Sequence, residues 1–94
     1  MIMSFGDKDT EEFYKNGTSK KIPSDIQERA LNRLDFLDNV ASLQDIKNSP
    51  RSYRFHSLKK DLIDFYSISI NMKFRIIFKF ENNNVYVVEI LDYH

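Results

Sequence analysis

Cysteine and tryptophan are absent from this 94-residue chain, glycine and proline occur twice each, and no apolar stretch runs beyond a handful of residues. Each absence removes a class. Without cysteine there is neither a disulfide framework nor a thiolate zinc site. The glycines, Gly6 and Gly17, do not sit in a strand-to-helix motif, so no glycine-rich phosphate cradle is present. A membrane helix needs about 20 apolar residues, and Met1–Phe5 has neither the basic region nor the apolar run of a signal peptide. A cytoplasmic protein without a membrane anchor is expected. With 41% hydrophobic and 30% charged residues the composition is that of a globular chain. At this length, burial of roughly 60–65% of the unfolded surface supports one core, and a single domain over residues 1–94 is expected.

The formal net charge is zero, but the charges are segregated. Residues 47–80 carry eight basic and two acidic side chains, a local +6, while residues 1–46 and 81–94 each stand at −3. A positive stripe on a neutral protein suits a polyanion; it is also what a solvated sheet face balanced by neighbouring acids looks like.

Met1–Phe5 reads as a strand, and Asp7–Tyr14 as a short helix closing near Asn16-Gly17. Ser24-Asp25-Ile26-Gln27 has the spacing of a capping box, and Ile26, Ala30, Leu34, Leu37 and Ala41 recur at helical steps. That stripe is expected against a sheet, with Glu28, Arg29, Asn32 and Asp35 in water. Residues 43–52, with Asn48, Ser49 and Pro50, read as a connecting loop. From Tyr53 onward the period changes to that of strands. Tyr66, Ile68 and Ile70 share one face, with Ser67 and Ser69 on the other. Phe74, Ile76, Phe78 and Phe80 likewise oppose Lys73, Arg75, Ile77 and Lys79. A three-residue loop at Asn82-Asn83-Asn84 would pair Phe80 with Tyr86, Phe78 with Val88 and Ile76 with Ile90, placing Glu89 on the basic face. The expected class is α+β: two N-terminal helices packed on a mainly antiparallel sheet, in the order β-α-α-β-β-β-β.

No nucleophile-elbow pattern surrounds any serine. His56 and His94 lie 38 positions apart without clustered carboxylates, so no metal site is expected and no cofactor is indicated. What remains is a polar set around the basic strands: His56, Lys59, Lys73, Arg75, Asp92, Tyr93 and His94. These are the groups that metal-free RNA cleavage requires. A 2′-hydroxyl must lose a proton, the phosphorane needs fixed cations, and the departing 5′-oxygen needs a proton. Histidine titrates near neutrality, and arginine presents a fork that matches phosphate oxygens. Each residue also has a structural explanation. Arg75 can balance Glu89, Lys59 and Lys60 can face Asp61 and Asp64, Tyr93 can cover the core, and the phenylalanines belong to the core rather than to base stacking.

Across essentially the whole chain the sequence resembles the HigB-type toxins of the RelE/ParE superfamily from bacterial toxin–antitoxin modules. The resemblance rests on Met1–Phe5 with Asp7–Glu11, Ser19–Pro23, Ala30–Asp35, Leu58–Asp61, Tyr66–Asn71 leading to Phe74-Arg75-Ile76, and the ending Asp92-Tyr93-His94. It implies a compact RelE-like fold and an endoribonuclease that cuts mRNA in the ribosomal A site. It also implies a HigA-type helix-turn-helix antitoxin as partner, with operator DNA contacted only through that antitoxin. By motif, His56 and Lys59 match the basic segment before the sheet, Arg75 the arginine after the central turn, and Asp92, Tyr93 and His94 the C-terminal catalytic motif. The resemblance assigns Arg75 and Lys59 to the scissile phosphate, His94 or His56 to proton transfer, Asp92 to orienting a histidine and Tyr93 to positioning the nucleotide. Arg54, Lys60, Lys73 and Lys79 are the expected auxiliary RNA contacts. Relatives often carry glycine at the position of Lys60 and tryptophan at that of Phe74. Two other readings stay open: a non-cleaving corepressor that binds only the antitoxin, and a toxin that poisons gyrase by binding protein.

Overall fold

The computed structural model describes residues 1–92. Helix α1 spans Lys8–Asn16, α2 Gln27–Asn39 and α3 Leu43–Lys47; strands β1 (His56–Ser57), β2 (Tyr66–Ser69), β3 (Phe74–Glu81) and β4 (Asn84–Asp92) follow. The four strands form an antiparallel meander in sequential order. One hydrophobic cluster joins the α2 stripe Ile26, Ala30, Leu34 and Leu37 to Ile68, Ile70, Ile76, Phe78, Val85, Val88 and Ile90. The expected α+β arrangement of helices on an antiparallel sheet is what the chain adopts.

Helix α1 ends at the glycine the sequence points to, and Asp7, expected inside the helix, caps its start instead. Asp7 Oδ1 accepts from the Thr10 amide at 3.1 Å, and Gly17, at φ 78°, donates its N–H to the Phe13 carbonyl at 2.8 Å. Phe13 and Thr10 are buried, and the Thr10 hydroxyl accepts from the Ile90 amide at 3.0 Å, tying α1 to β4. The start of α2 differs from expectation. A 3-10 turn, Ser24–Ile26, precedes it and no side chain caps it. Gln27 reaches back instead, its Nε2 donating to the Ser19 and Ile22 carbonyls, each at 2.8 Å. The amide thus closes a loop whose carbonyls would otherwise lack partners. Ala41 is also misplaced in the expected stripe: α2 stops at Asn39, Val40 turns into the core and Ala41 is exposed.

Two segments differ more. Residues 43–52 hold α3, capped by a Ser42–Asp45 capping box and anchored by the fully buried Ile46. Met1–Phe5 is no continuous strand: Ile2 and Phe5 make isolated parallel bridges to Val85 and Val88. Between them the Ser4 hydroxyl accepts from the Val87 amide at 2.9 Å. The N-terminal segment therefore covers the β4 edge from within the chain.

The β3–β4 hairpin shows why that edge is interrupted. Its turn is the two-residue Asn82-Asn83, with φ 51° and 64°, joining the pair Glu81 and Asn84. Asparagine tolerates the left-handed region that such tight turns demand. The pairs nearest the turn are consequently Phe80 with Val85 and Lys79 with Tyr86, not Phe80 with Tyr86. A bulge at Val87, φ 54°, then shifts the register by one residue and restores the expected pair Ile76 with Ile90. Val85 and Val88 both face the core, and Tyr86 is only half-buried.

Candidate RNA-binding and catalytic face

The face of the sheet away from the helices is where the sequence-selected cations gather. Across it, His56 pairs with Ser67, Ser67 with Ile77 and Ile77 with Glu89; the neighbouring row runs Ser69, Arg75 and Leu91. His56 stands exposed on β1 and is held at both ring nitrogens. Its Nδ1 lies 2.8 Å from the Arg54 carbonyl and its Nε2 lies 3.3 Å from Arg75 Nη1. A carbonyl only accepts and a guanidinium only donates, so Nδ1 carries the proton and Nε2 presents its lone pair to Arg75. The left-handed Arg54, φ 49°, aims that carbonyl at the ring. Arg75 comes from the middle of the sheet and is half-buried, so the strand fixes it from below.

The remaining expected residues are distributed around this pair. Lys59 and Lys60 are exposed on the β1–β2 connection, where Lys60 adopts φ 59°. The left-handed geometry that glycine would supply is thus kept by a lysine, at a steric cost of about 1–2 kcal/mol. Lys73 Nζ lies 3.6 Å from Asp92 Oδ2 at the far end of β4, and Asn71 Oδ1 ties the turn before it by accepting from the amides of Lys73 at 2.8 Å and Phe74 at 2.7 Å. Lys79 sits four residues from Arg75, about 13 Å along the strand, with its ammonium 5.1 Å from the centre of the Phe65 ring. Tyr93 and His94 lie outside the described residues. The structure therefore brings together His56 with Arg75 and Lys73 with Asp92, and leaves Lys79 at the opposite end of the face.

Glu89 belongs to this face, as expected, but its carboxylate turns toward the N-terminal segment. A Cβ on Gly6 would stand 2.7 Å from Glu89 Oε1, so the glycine is what lets the two approach. Burial, and then the charge of Asp7, push the Glu89 carboxyl above its ordinary range. Ser67, beneath His56, is fully buried, and its hydroxyl has no hydrogen-bond partner among the described residues. Among those residues no group of three histidine, aspartate or glutamate side chains is placed to hold a metal ion, and no helix is long and apolar enough to cross a membrane. Arg29 and Arg33 of α2, which the helical pattern assigned to solvent or left unassigned, bond the carbonyls of Ile70 and Ser69 beside this face. Their signal in sequence is an arginine pair four positions apart.

Residues 3–94 match the family model of HigB-like toxins, described as RelE-like toxins of the type II toxin–antitoxin system HigB. The chain belongs to this family. It is 29% identical to endoribonuclease HigB of Proteus vulgaris over 94 residues, covering 100% of both chains. To toxin HigB-1 of Vibrio cholerae it is 32% identical over 80 residues, 84% of this chain and 83% of that one. Among solved structures it is similar to a chain of the YoeB–YefM complex from Staphylococcus aureus, with TM-score 0.64, 17% identity and coverage of 100% and 98%. A chain of the Escherichia coli DinJ–YafQ toxin–antitoxin complex aligns at TM-score 0.62 and 13% identity, covering 98% of this HigB-like toxin and 90% of that chain. These two likenesses are of fold.

Proposed function

We propose that this HigB-like toxin is a ribonuclease that cuts mRNA in the ribosomal A site by attack of a 2′-hydroxyl on the adjacent phosphate, without a metal ion. The observation that carries the reading is the His56–Arg75 pair. An imidazole whose Nδ1–H is committed to a backbone carbonyl offers Nε2 as the base, and the guanidinium beside it is the group that recognises phosphate oxygens. When a phosphodiester enters, Arg75 turns its donors to the nonbridging oxygens, and Nε2 is released to take the 2′-hydroxyl proton. Lys59 adds positive charge from the β1–β2 connection, and Lys73 holds Asp92 at the end of β4. His94 supplies the proton to the departing 5′-oxygen, Tyr93 positions the nucleotide, and Arg54, Lys60 and Lys79 contact the strand. The full-length similarity to a curated endoribonuclease supports the reaction class. A HigA-type helix-turn-helix antitoxin is the proposed partner, through which operator DNA is reached.

The test is primer extension on a translated mRNA after induced expression of the untagged wild type and of Arg75→Gln, His56→Gln and His94→Ala, with growth followed in parallel. Codon-phased cuts that vanish with Arg75→Gln support the reading. Growth arrest without cuts overturns it in favour of a protein target, and absence of arrest overturns it in favour of an antitoxin-binding corepressor.

A further inference from the structure

Strand β2 outruns β1. Pairing between them ends at His56 with Ser67, so beyond that point β2 presents its Ser69 carbonyl to an open edge. Helix α2 fills the edge with arginine. Arg33 Nε donates to the Ser69 carbonyl at 2.7 Å, and Arg29 Nη1 to the Ile70 carbonyl at 3.2 Å. These bonds use one of the five donors on each guanidinium. Both arginines line a groove of about 470 Å³ together with Arg54, Ser52, Asn71 and Met72, and among the described residues no acidic side chain lines it. In the free protein the two guanidinium groups repel each other, although their carbonyl bonds hold them in place. Arg29 and Arg33 are like charges at helical i,i+4 spacing, and burial lowers the Arg33 pKa, with Tyr53 opposing that shift and the Arg29 charge adding a smaller part to it. An anion in the groove would relieve both.

We propose that the groove is a second phosphate-binding site, which holds the RNA backbone beside the nucleotide that is cut at His56 and Arg75. The inference deepens the ribonuclease reading and rests on it. Two residues make the groove continuous with that pair. Arg54 lines the groove, and its carbonyl holds His56 Nδ1. Ser69, in the groove wall, is the direct cross-strand partner of Arg75, about 5 Å away between Cα atoms. A strand engaged at Arg75 therefore runs past the groove. Arginine forks match phosphate oxygens, and Met72, 86% exposed at the rim, offers an unbranched apolar surface to a base. Messenger and ribosomal RNA present the same phosphodiester chemistry, and the arms of the test separate them.

The experiment titrates the full chain with a short 2′-O-methylated RNA, which it cannot cut, by fluorescence anisotropy over a range of salt concentrations. Vacant ribosomes are co-sedimented in parallel. For Arg29→Gln and Arg54→Gln the slope of log affinity against log salt is expected to fall by about 0.7 per lost phosphate contact, evenly across RNA sequences, with Arg29→Lys restoring it. A loss seen with the short RNA supports the message as occupant; a loss confined to ribosomes overturns the placement beside the cut nucleotide in favour of ribosomal RNA. Thermal melts within a few degrees of wild type establish that the variants fold. Unchanged affinity and slope in both arms overturn the proposal. If the groove variants bind RNA normally while wild-type protein cuts mRNA, the groove inference fails and the nuclease reading stands. If they lose RNA affinity while wild-type protein makes no cuts, the groove stands and the nuclease reading fails.

Discussion

Arg33 is the keystone of the junction between α2 and the sheet edge, and Arg33→Met measures it. The substitution keeps most of the apolar stem and removes the guanidinium. Lost with it is the 2.7 Å bond to the Ser69 carbonyl, worth about 1.5 kcal/mol, at the low end for a charged donor because water can reach the open edge. Also lost is the placement of the guanidinium carbon 4.2 Å from the centre of the Tyr53 ring, worth about 0.5–1 kcal/mol. Relief of the repulsion with Arg29 returns a few tenths of a kcal/mol. The net cost is about 2 kcal/mol. With an unfolding entropy near 2.1 cal/mol/K per residue, a chain of this length loses roughly 10 °C in Tm. Urea denaturation should show a lower midpoint with an unchanged m-value. A double-mutant cycle with Tyr53→Leu should return a coupling of about 0.5–1 kcal/mol, because the contact between Tyr53 and Phe36, at 5.3 Å, is common to both arms. A cost below about 0.5 kcal/mol, or zero coupling, would refute this account of the edge.

Other expectations follow from the same geometry. Glu89 binds its proton more tightly folded than unfolded, so its contribution to stability falls as pH rises from the ordinary glutamate range through its raised value. Glu89→Gln should therefore be more stable than wild type at pH 7, the difference fading in urea titrations below about pH 4; a gain that is constant with pH would contradict this. Gly6→Ala places a Cβ 3.1 Å from Glu89 Cβ and 3.3 Å from Val87 Cγ1, and should cost about 1–2 kcal/mol by the same assay. Ser42→Ala removes the cap of α3 and should cost about 1 kcal/mol, whereas an unchanged midpoint would mean that Ile46 alone holds that turn.

The helical stripe from Ile26 to Leu37, the glycine that ends α1, the alternation in β2 and the pair Ile76 with Ile90 were legible in the sequence, because burial on one face imposes a period and a left-handed cap demands glycine or asparagine. The basic segment was legible too, and His56 and Arg75 stood among seven polar candidates because phosphate chemistry draws on few side chains, but that these two meet was not. The register near Asn82-Asn83 was not. A two-residue turn with a compensating bulge at Val87 and a three-residue turn without one lead to the same Ile76 with Ile90 pair, so periodicity is blind to the difference until the local pairing is seen. Gln27 was ambiguous likewise, because an amide three positions after serine serves equally well to cap a helix or to close a loop. The approach of Arg75 to His56, the turn of Glu89 toward Gly6, and the arginines on the open edge of β2 depend on residues 19 to 83 positions apart in the chain. Sequence determined which groups are available. Tertiary structure decided which of them share a carbonyl, a desolvated corner or a groove, because hydrogen bonding and electrostatics act over ångströms in space and not along the chain.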